Sequence, residues 1–243
     1  MIRTDGSPST LPAPDAKRSY VRDMFTAIAP RYDLLNHLLS LNIDRRWRRR
    51  AVDRLGWESN PEGLYLDLCA GTLDLAIELR RRPGFAGRVV GADFVIPMLS
   101  RGRRKDGAIA AVGADALQLP FPDRRFDGCL VGFGIRNLVD IDQGLKEMAR
   151  VLSPGGRLVI LDFSVPTVWP IRPLYLFYFR RVLPWIGRLV SKHTTAYRYL
   201  PASVSEFLPP EDLVLRLERA GFADSGFEKL TSGIAFIAWG RAT

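Results

Sequence analysis

The pattern of apolar and polar positions changes character twice along the chain. In the first part, Val21, Met24, Phe25 and Ile28 recur at the three- and four-residue spacing of one helical face. Pro30 should end or kink that run. A second helical stretch is expected over roughly 33–40, and a third from Asp44, a candidate N-cap, to Leu55, with Gly56 as terminator. From residue 64 the period shortens. Strands are predicted at Leu64–Cys69, Gly87–Asp93, Ala108–Val112, Phe126–Gly132 and Arg157–Phe163, with a turn at Pro154-Gly155-Gly156. Helices are predicted between them at 72–82, 95–104 and 140–152. Strands alternating with helices of this length imply a parallel sheet covered on both faces. The end differs again: a helix over 211–221, then Ser225–Leu230 and Ile234–Trp239 as a β-hairpin.

Composition narrows this only a little. The chain has 243 residues, 47% hydrophobic and 25% charged. It is a folded protein of the size of one large α/β domain, not a disordered or collagen-like chain. Cys69 and Cys129 are the only cysteines. They make neither a disulfide framework nor a zinc-ligand pattern, so no metal is expected and a reducing, cytoplasmic location is. Residues 1–16 lack the apolar run of a secretory signal and are expected to be a disordered tail.

Charge adds more through its distribution than through its total. The net charge is +9, and 30 of the 35 basic residues are arginine, a bias that base composition alone can produce. From Phe163 to Ser205, however, there is no acidic residue, while Arg172, Arg180, Arg181, Arg188, Lys192 and Arg198 alternate with aromatic side chains. The segment is too charged and too punctuated by proline to span a bilayer. It suits an interfacial element on an anionic membrane surface; a cover over the site or a homodimer interface is the alternative.

In an open parallel sheet, ligands bind beyond the carboxyl ends of the strands. Three predicted strand ends carry acidic chemistry: Asp67-Leu-Cys-Ala-Gly71-Thr72-Leu73-Asp74, Asp93, and Asp115-Ala116. Asp93 lies 22 residues past Gly71, which suits a carboxylate on two ribose hydroxyls. The loop has one glycine where a dinucleotide fingerprint needs three, and carboxylates beside it would repel a pyrophosphate. S-adenosylmethionine has a ribose and an adenine, no phosphate, and two cationic groups, and it fits better. Asp115 would accept from the adenine amino group and the Ala116 N–H would donate to the ring. Capping of the turn and helix by Asp67 and Asp74 remains open.

These same stretches, DLCAGTLDLA, GADF, ADALQLPFPDRRFD and RVLSPGG, resemble motifs of the class I S-adenosylmethionine-dependent methyltransferases. Residues 21–48, 133–166 and 197–213 resemble, more narrowly, the quinone-ring C-methyltransferases of menaquinone and ubiquinone biosynthesis. The resemblance runs from about residue 20 to the end. It departs from the family pattern at Leu73, usually a small residue, at Gly132, commonly serine, and at His193-Thr194-Thr195-Ala196, where an acidic residue is common.

The resemblance implies a Rossmann-like α/β fold, a seven-stranded mostly parallel sheet with an antiparallel last strand. Residues 17–56 would be a helical cover, 57–243 the methyltransferase domain, and 167–205 an insertion facing the membrane. It implies methyl transfer from S-adenosylmethionine to a ring carbon of a prenylated hydroquinone, at a peripheral site on the inner face of the cell membrane. Cofactor binding would fall to Asp67, Gly71, Thr72, Asp93, Asp115 and Ala116. Arg136 and Asn137, just past strand four, would bind a developing phenolate or orient a water that accepts the proton; a local salt bridge and a turn cap are the plainer reading. Tyr32, Asn36, His193 and Tyr197 would line the cover and the acceptor side. Two other functions stay open on the residues alone: a nucleic-acid methyltransferase, for which no recognition module or Asn/Asp-Pro-Pro-aromatic motif is present, and a non-catalytic membrane-binding protein on the same fold.

Overall fold

The structure, a computed structural model, describes residues 11–33, 40, 42–182 and 194–243, with 14, 31, 180 and 194–198 described by backbone alone. Five parallel strands form the body of one sheet: β1 (Leu64–Leu68), β2 (Arg88–Asp93), β3 (Ala110–Gly113), β4 (Phe126–Gly132) and β5 (Leu152–Phe163). The hairpin of β6 (Phe222–Leu230) and β7 (Ala235–Ala242) completes it. The order is β3-β2-β1-β4-β5-β7-β6, with β7 antiparallel to both neighbours. The chain reverses direction across the sheet between β1 and β4, and this opens a crevice at their carboxyl ends.

Alternation along the strands sorts the core into two layers. Tyr65, Leu130, Val159, Leu161 and Ile237 face one side. There they meet Trp47, Ala51 and Leu55 of α2 (Ile43–Leu55) and Leu75, Ala76 and Leu79 of α3 (Asp74–Arg80). Leu66, Leu68, Cys129, Val131, Leu158, Ile160 and Phe236 face the other. Leu145 and Met148 of α5 (Ile141–Val151) and Leu213 and Leu217 of α8 (Pro210–Arg219) cover them. α4 (Ile96–Lys105) lies between β2 and β3 in sequence. Burial on both faces is why β1 and β4 read as nearly continuous apolar runs.

Several boundaries differ from expectation, each for a local reason. α1 (Pro14–Ile28) starts inside the expected tail, with proline in its first turn and Leu11 packed beneath. Asp44 is not the cap of α2. Asn42, in the left-handed region, holds that place, and Asp44 is buried in the first turn, paired with Arg48. The helical run at 33–40 falls mostly outside the described residues. β5 begins at Leu152, ahead of the expected turn; the glycines form a bulge, and its partner β4 shifts register between Phe126 and Gly128. The insertion after β5 contains α6 (Ile171–Phe177), a π-helical turn over Tyr178–Val182, and α7 (Thr194–Glu206).

The unusual Leu73 is explained by two glycines. It sits in the left-handed region at φ 65°, which costs a leucine about 1–2 kcal/mol. Its side chain is fully buried away from the crevice, worth about 1.5–3 kcal/mol, so burial offsets the strain. The space exists because Gly91 and Gly102 have no side chains: a Cβ at Gly91 would lie 2.1 Å from Leu73 Cδ2, and one at Gly102 2.5 Å from Leu73 Cγ. Gly91→Ala should therefore destabilise the protein by about 1–3 kcal/mol in urea denaturation. Leu73→Ala in the same chain should recover part of that loss, whereas additive losses would disprove the packing argument.

Candidate active site

The crevice at the sheet reversal is walled by the carboxyl ends of β1, β2 and β4 and roofed by the N-terminal segment. Gly71, Asp93, Asp115, Ala116, Phe133 and Asn137 line it, with Val21, Phe25 and Tyr32 from the cover above. Two non-glycine residues at the adjacent strand ends, Cys69 (φ 55°) and Phe133 (φ 59°), take left-handed backbone. A Cβ on Gly134 would lie 2.3 Å from that of Cys69, so the two loops close on each other only because residue 134 has none. Burial pushes the Cys69 thiol well up, which leaves it a neutral wall rather than a nucleophile.

The acidic residues divide into two groups. Asp93 is on the wall. Its Oδ2 accepts from Gly71 N at 2.8 Å and its Oδ1 from Val95 N at 2.8 Å. A carboxylate offers about four acceptor positions, so acceptor capacity remains for a ribose hydroxyl. Burial raises its pKa, against the pull of those amides. Asp115 is also on the wall, with Oδ1 accepting from Leu117 N and Oδ2 paired to Arg18 at 2.6 Å. Arg18 comes from α1, so the residue expected to receive the adenine amino group is already tied to the roof.

Asp67, Thr72 and Asp74 lie behind the wall. Asp67 is wholly buried, accepts from Ala76 N at 2.9 Å, and is pushed well above the usual carboxylate range by burial. It anchors the start of α3. Thr72 Oγ1 donates to Asp33 of the cover at 2.6 Å. Asp74 pairs with Lys105 at 2.8 Å and Arg48 at 3.3 Å. Of the four carboxylates, Asp93 and Asp115 line the crevice, whereas Asp67 and Asp74 are not in its lining. Gly132, where the family commonly has serine, abuts Leu75: a Cβ there would lie 2.7 Å from Leu75 Cδ1.

Beside the crevice, the expected catalytic pair sits on a 3-10 turn over Ile135–Asn137. Arg136 is buried. Its Nη1 donates to Asp162 Oδ1 at 2.5 Å and to Phe133 O at 2.6 Å, and its backbone N points at the same carboxylate. Burial raises the pKa of Asp162, and the Arg136 charge opposes that rise. Asn137 accepts from Tyr199 of α7 at 3.1 Å and reaches Phe133 O at 3.4 Å. Lys17 of α1 donates to the carbonyls of Arg136 (3.1 Å) and Leu138 (2.7 Å). Desolvation pulls its pKa down. The local salt bridge weighed against function at Arg136 is therefore present, and it holds the guanidinium beside the crevice.

Sequence reading missed Asp162, Lys17, Arg18 and Tyr199. Asp162 was findable, since it ends strand five as Asp93 ends strand two. The other three come from segments whose docking no local pattern announces. Tyr32 lines the crevice from the cover side. Asn36 and His193 lie outside the described residues, and Tyr197 is described by its backbone in α7 alone.

A seven-stranded sheet of this order, with its crevice at the reversal, is the Rossmann-like fold shared with solved methyltransferases. Solved structures agree on the fold. A methyltransferase from Thermotoga maritima superposes with TM-score 0.64 at 19% identity, over 91% of this chain and 99% of its own. The [4+2]-cyclase SpnF superposes at 0.67 and 15% identity, over 97% and 98%, so the fold alone does not name a reaction. The chain belongs to the ubiE/COQ5 methyltransferase family, whose model matches residues 13–242. It is 51% identical over 219 residues to a demethylmenaquinone methyltransferase of Thermus thermophilus, covering 88% of this chain and 97% of that one. It is 46% identical over 231 residues to a ubiquinone/menaquinone biosynthesis C-methyltransferase of Geobacter sulfurreducens, covering 93% and 89%. The protein is an S-adenosylmethionine-dependent C-methyltransferase.

If Asp93 holds the cofactor ribose, Asp93→Ala should weaken S-adenosylmethionine binding at least tenfold in calorimetry, because a ribose hydroxyl loses a charged acceptor. Unchanged affinity in the folded variant would remove Asp93 from the binding set.

Proposed function

We propose that the enzyme methylates a ring carbon of a prenylated hydroquinone, with demethylmenaquinol the preferred acceptor and the benzoquinol of the ubiquinone pathway the alternative. The relatives' names support the acceptor class. The observation that carries the chemistry is the buried Arg136, held by Asp162 and Phe133 O beside the crevice.

An aromatic C–H carbon is a weak nucleophile until a neighbouring hydroxyl ionises, when charge spreads onto the ortho carbon. S-adenosylmethionine, when bound, supplies an electrophilic methyl group. Gly71, Asp93, Asp115 and Ala116 bind it. Arg136 lowers the pKa of the ring hydroxyl and stabilises the phenolate. Asp162 keeps the guanidinium in place, and Asn137, oriented by Tyr199, completes the wall. The ring hydroxyl proton passes to a water oriented by Arg136 and Asn137 before carbon–carbon bond formation. The C–H proton passes to water after it, the ring is aromatic again, and its phenolate oxygen takes a proton back. Val21, Phe25 and Phe133 exclude water from this space.

Under reducing conditions, labelled S-adenosylmethionine should transfer its methyl group to short-prenyl demethylmenaquinol faster than to the corresponding benzoquinol. Absence of product with both, despite cofactor binding, overturns the reading. Arg136→Lys keeps the charge but loses the planar fork, and kcat should fall about a hundredfold with cofactor affinity retained.

A polyprenyl acceptor resides in a bilayer, and the insertion supports docking there. Among the described residues no helix is long and apolar enough to cross a membrane. Around α6, Trp169 (82% exposed), Leu174 (70%) and Phe177 (60%) point outward, while Tyr175 and Phe179 stack inward at 4.5 Å. Exposed Arg172 and Arg181 flank this face. An apolar ridge edged by arginine suits an anionic headgroup layer. Changing Trp169, Leu174 and Phe177 to serine should abolish co-sedimentation with anionic vesicles and leave cofactor affinity intact. Retained sedimentation removes the docking role, and a loss of dimer mass in the variant would assign the ridge to a second copy instead.

A further inference from the structure

Two buried polar atoms are left over once the hydrogen bonds of the site are assigned. Arg136 Nε and the phenolic oxygen of Tyr175 have no hydrogen-bond partner among the described residues. Arg136 is 8% exposed and Tyr175 is 6% exposed. A buried donor left unpaired costs stability, and phenylalanine at 175 would pack the same ring without that cost. The two groups come from different elements and share one neighbour, Phe163. The Arg136 guanidinium carbon lies 5.4 Å from the centroid of the Phe163 ring, and the Tyr175–Phe179 cluster packs on the same Phe163. The charges of Arg136 and Asp162 both act on the Tyr175 hydroxyl.

Phe163 is in turn 4.6 Å, centroid to centroid, from Phe133, which lines the crevice. The Phe133–Phe163 ring contact therefore links the lining of the crevice to the surroundings of the two unpaired atoms. Arg136 Nε can only donate, and Tyr175 retains a hydroxyl proton to give, so one acceptor oxygen carried on a flat, apolar ring satisfies both. Resting on the hydroquinone reading above, we propose that Tyr175 Oη and Arg136 Nε together hold the ring oxygen adjacent to the carbon that is methylated, which makes Tyr175 a substrate-binding residue. Burial pushes the Tyr175 phenol above its ordinary value, so it keeps its proton and serves as a donor, not a base. α6 then has two working faces: the outer ridge of Trp169, Leu174 and Phe177, and an inner hydroxyl that reads the head of the lipid.

The test is Tyr175→Phe assayed on demethylmenaquinol across pH, with cofactor affinity measured in parallel. kcat at neutral pH should fall by about ten- to a hundredfold, with cofactor affinity unchanged. Transfer requires the phenolate, and a donor to it lowers the bound hydroxyl's pKa. The rising limb of kcat against pH should therefore move up by about one pH unit, a shift that a packing role would not produce. An unaltered kcat and pH profile, with the wild type active, overturns the proposal alone. A loss of cofactor affinity in the variant makes Tyr175 a packing residue and also overturns it. A wild type that binds cofactor but methylates neither hydroquinone removes the acceptor reading, and this proposal with it.

Discussion

The ion pair between Arg136 and Asp162 is the constraint on which the site depends. Both side chains are out of water, where an isolated charge is costly and a paired one roughly breaks even. The pair survives because each partner has further hydrogen bonds: Arg136 to Phe133 O, and Asp162 from the backbone of Phe163 and Arg136. These bonds tie the loop after β4 to the end of β5. α1 and α7 are docked on that loop, one through Lys17 and the other through Tyr199. Breaking the pair by removing one partner would strand a buried charge and loosen four segments together. A salt bridge that adds little to stability can thus hold a site in one arrangement.

Much of the fold was legible because burial on two faces leaves a strong mark. β1 and β4 are apolar at nearly every position, and their ends were placed within a residue. The crevice was legible for the same reason, since strand ends that stop in aspartate are visible in a linear text. What each aspartate faces was not legible. Asp67 and Asp93 end neighbouring strands with the same side chain, yet one anchors a helix start and the other lines the wall. Their direction depends on which backbone amides lie nearby, Ala76 N in one case and Gly71 N and Val95 N in the other.

Contacts between distant segments were the least legible. Lys17 reads as one lysine on an amphipathic helix, and only docking of that helix brings its amine to Arg136 O and Leu138 O. Leu73 misleads in the opposite sense. Next to the loop it reads as a defect in the cofactor site, but Gly91 and Gly102 clear a slot on the far side and the crevice is unaffected. A departure from a family pattern is intelligible only with the positions that absorb it, and those are set by packing between β2 and α4.

The position of α1 has a mechanical consequence. Its residues Val21 and Phe25 form part of the crevice roof, and it is latched at one point to Asp115 through Arg18 and at another to the Ile135–Asn137 turn through Lys17. A single displacement of α1 would break both latches, so opening of the crevice and release of the Ile135–Asn137 turn are mechanically coupled.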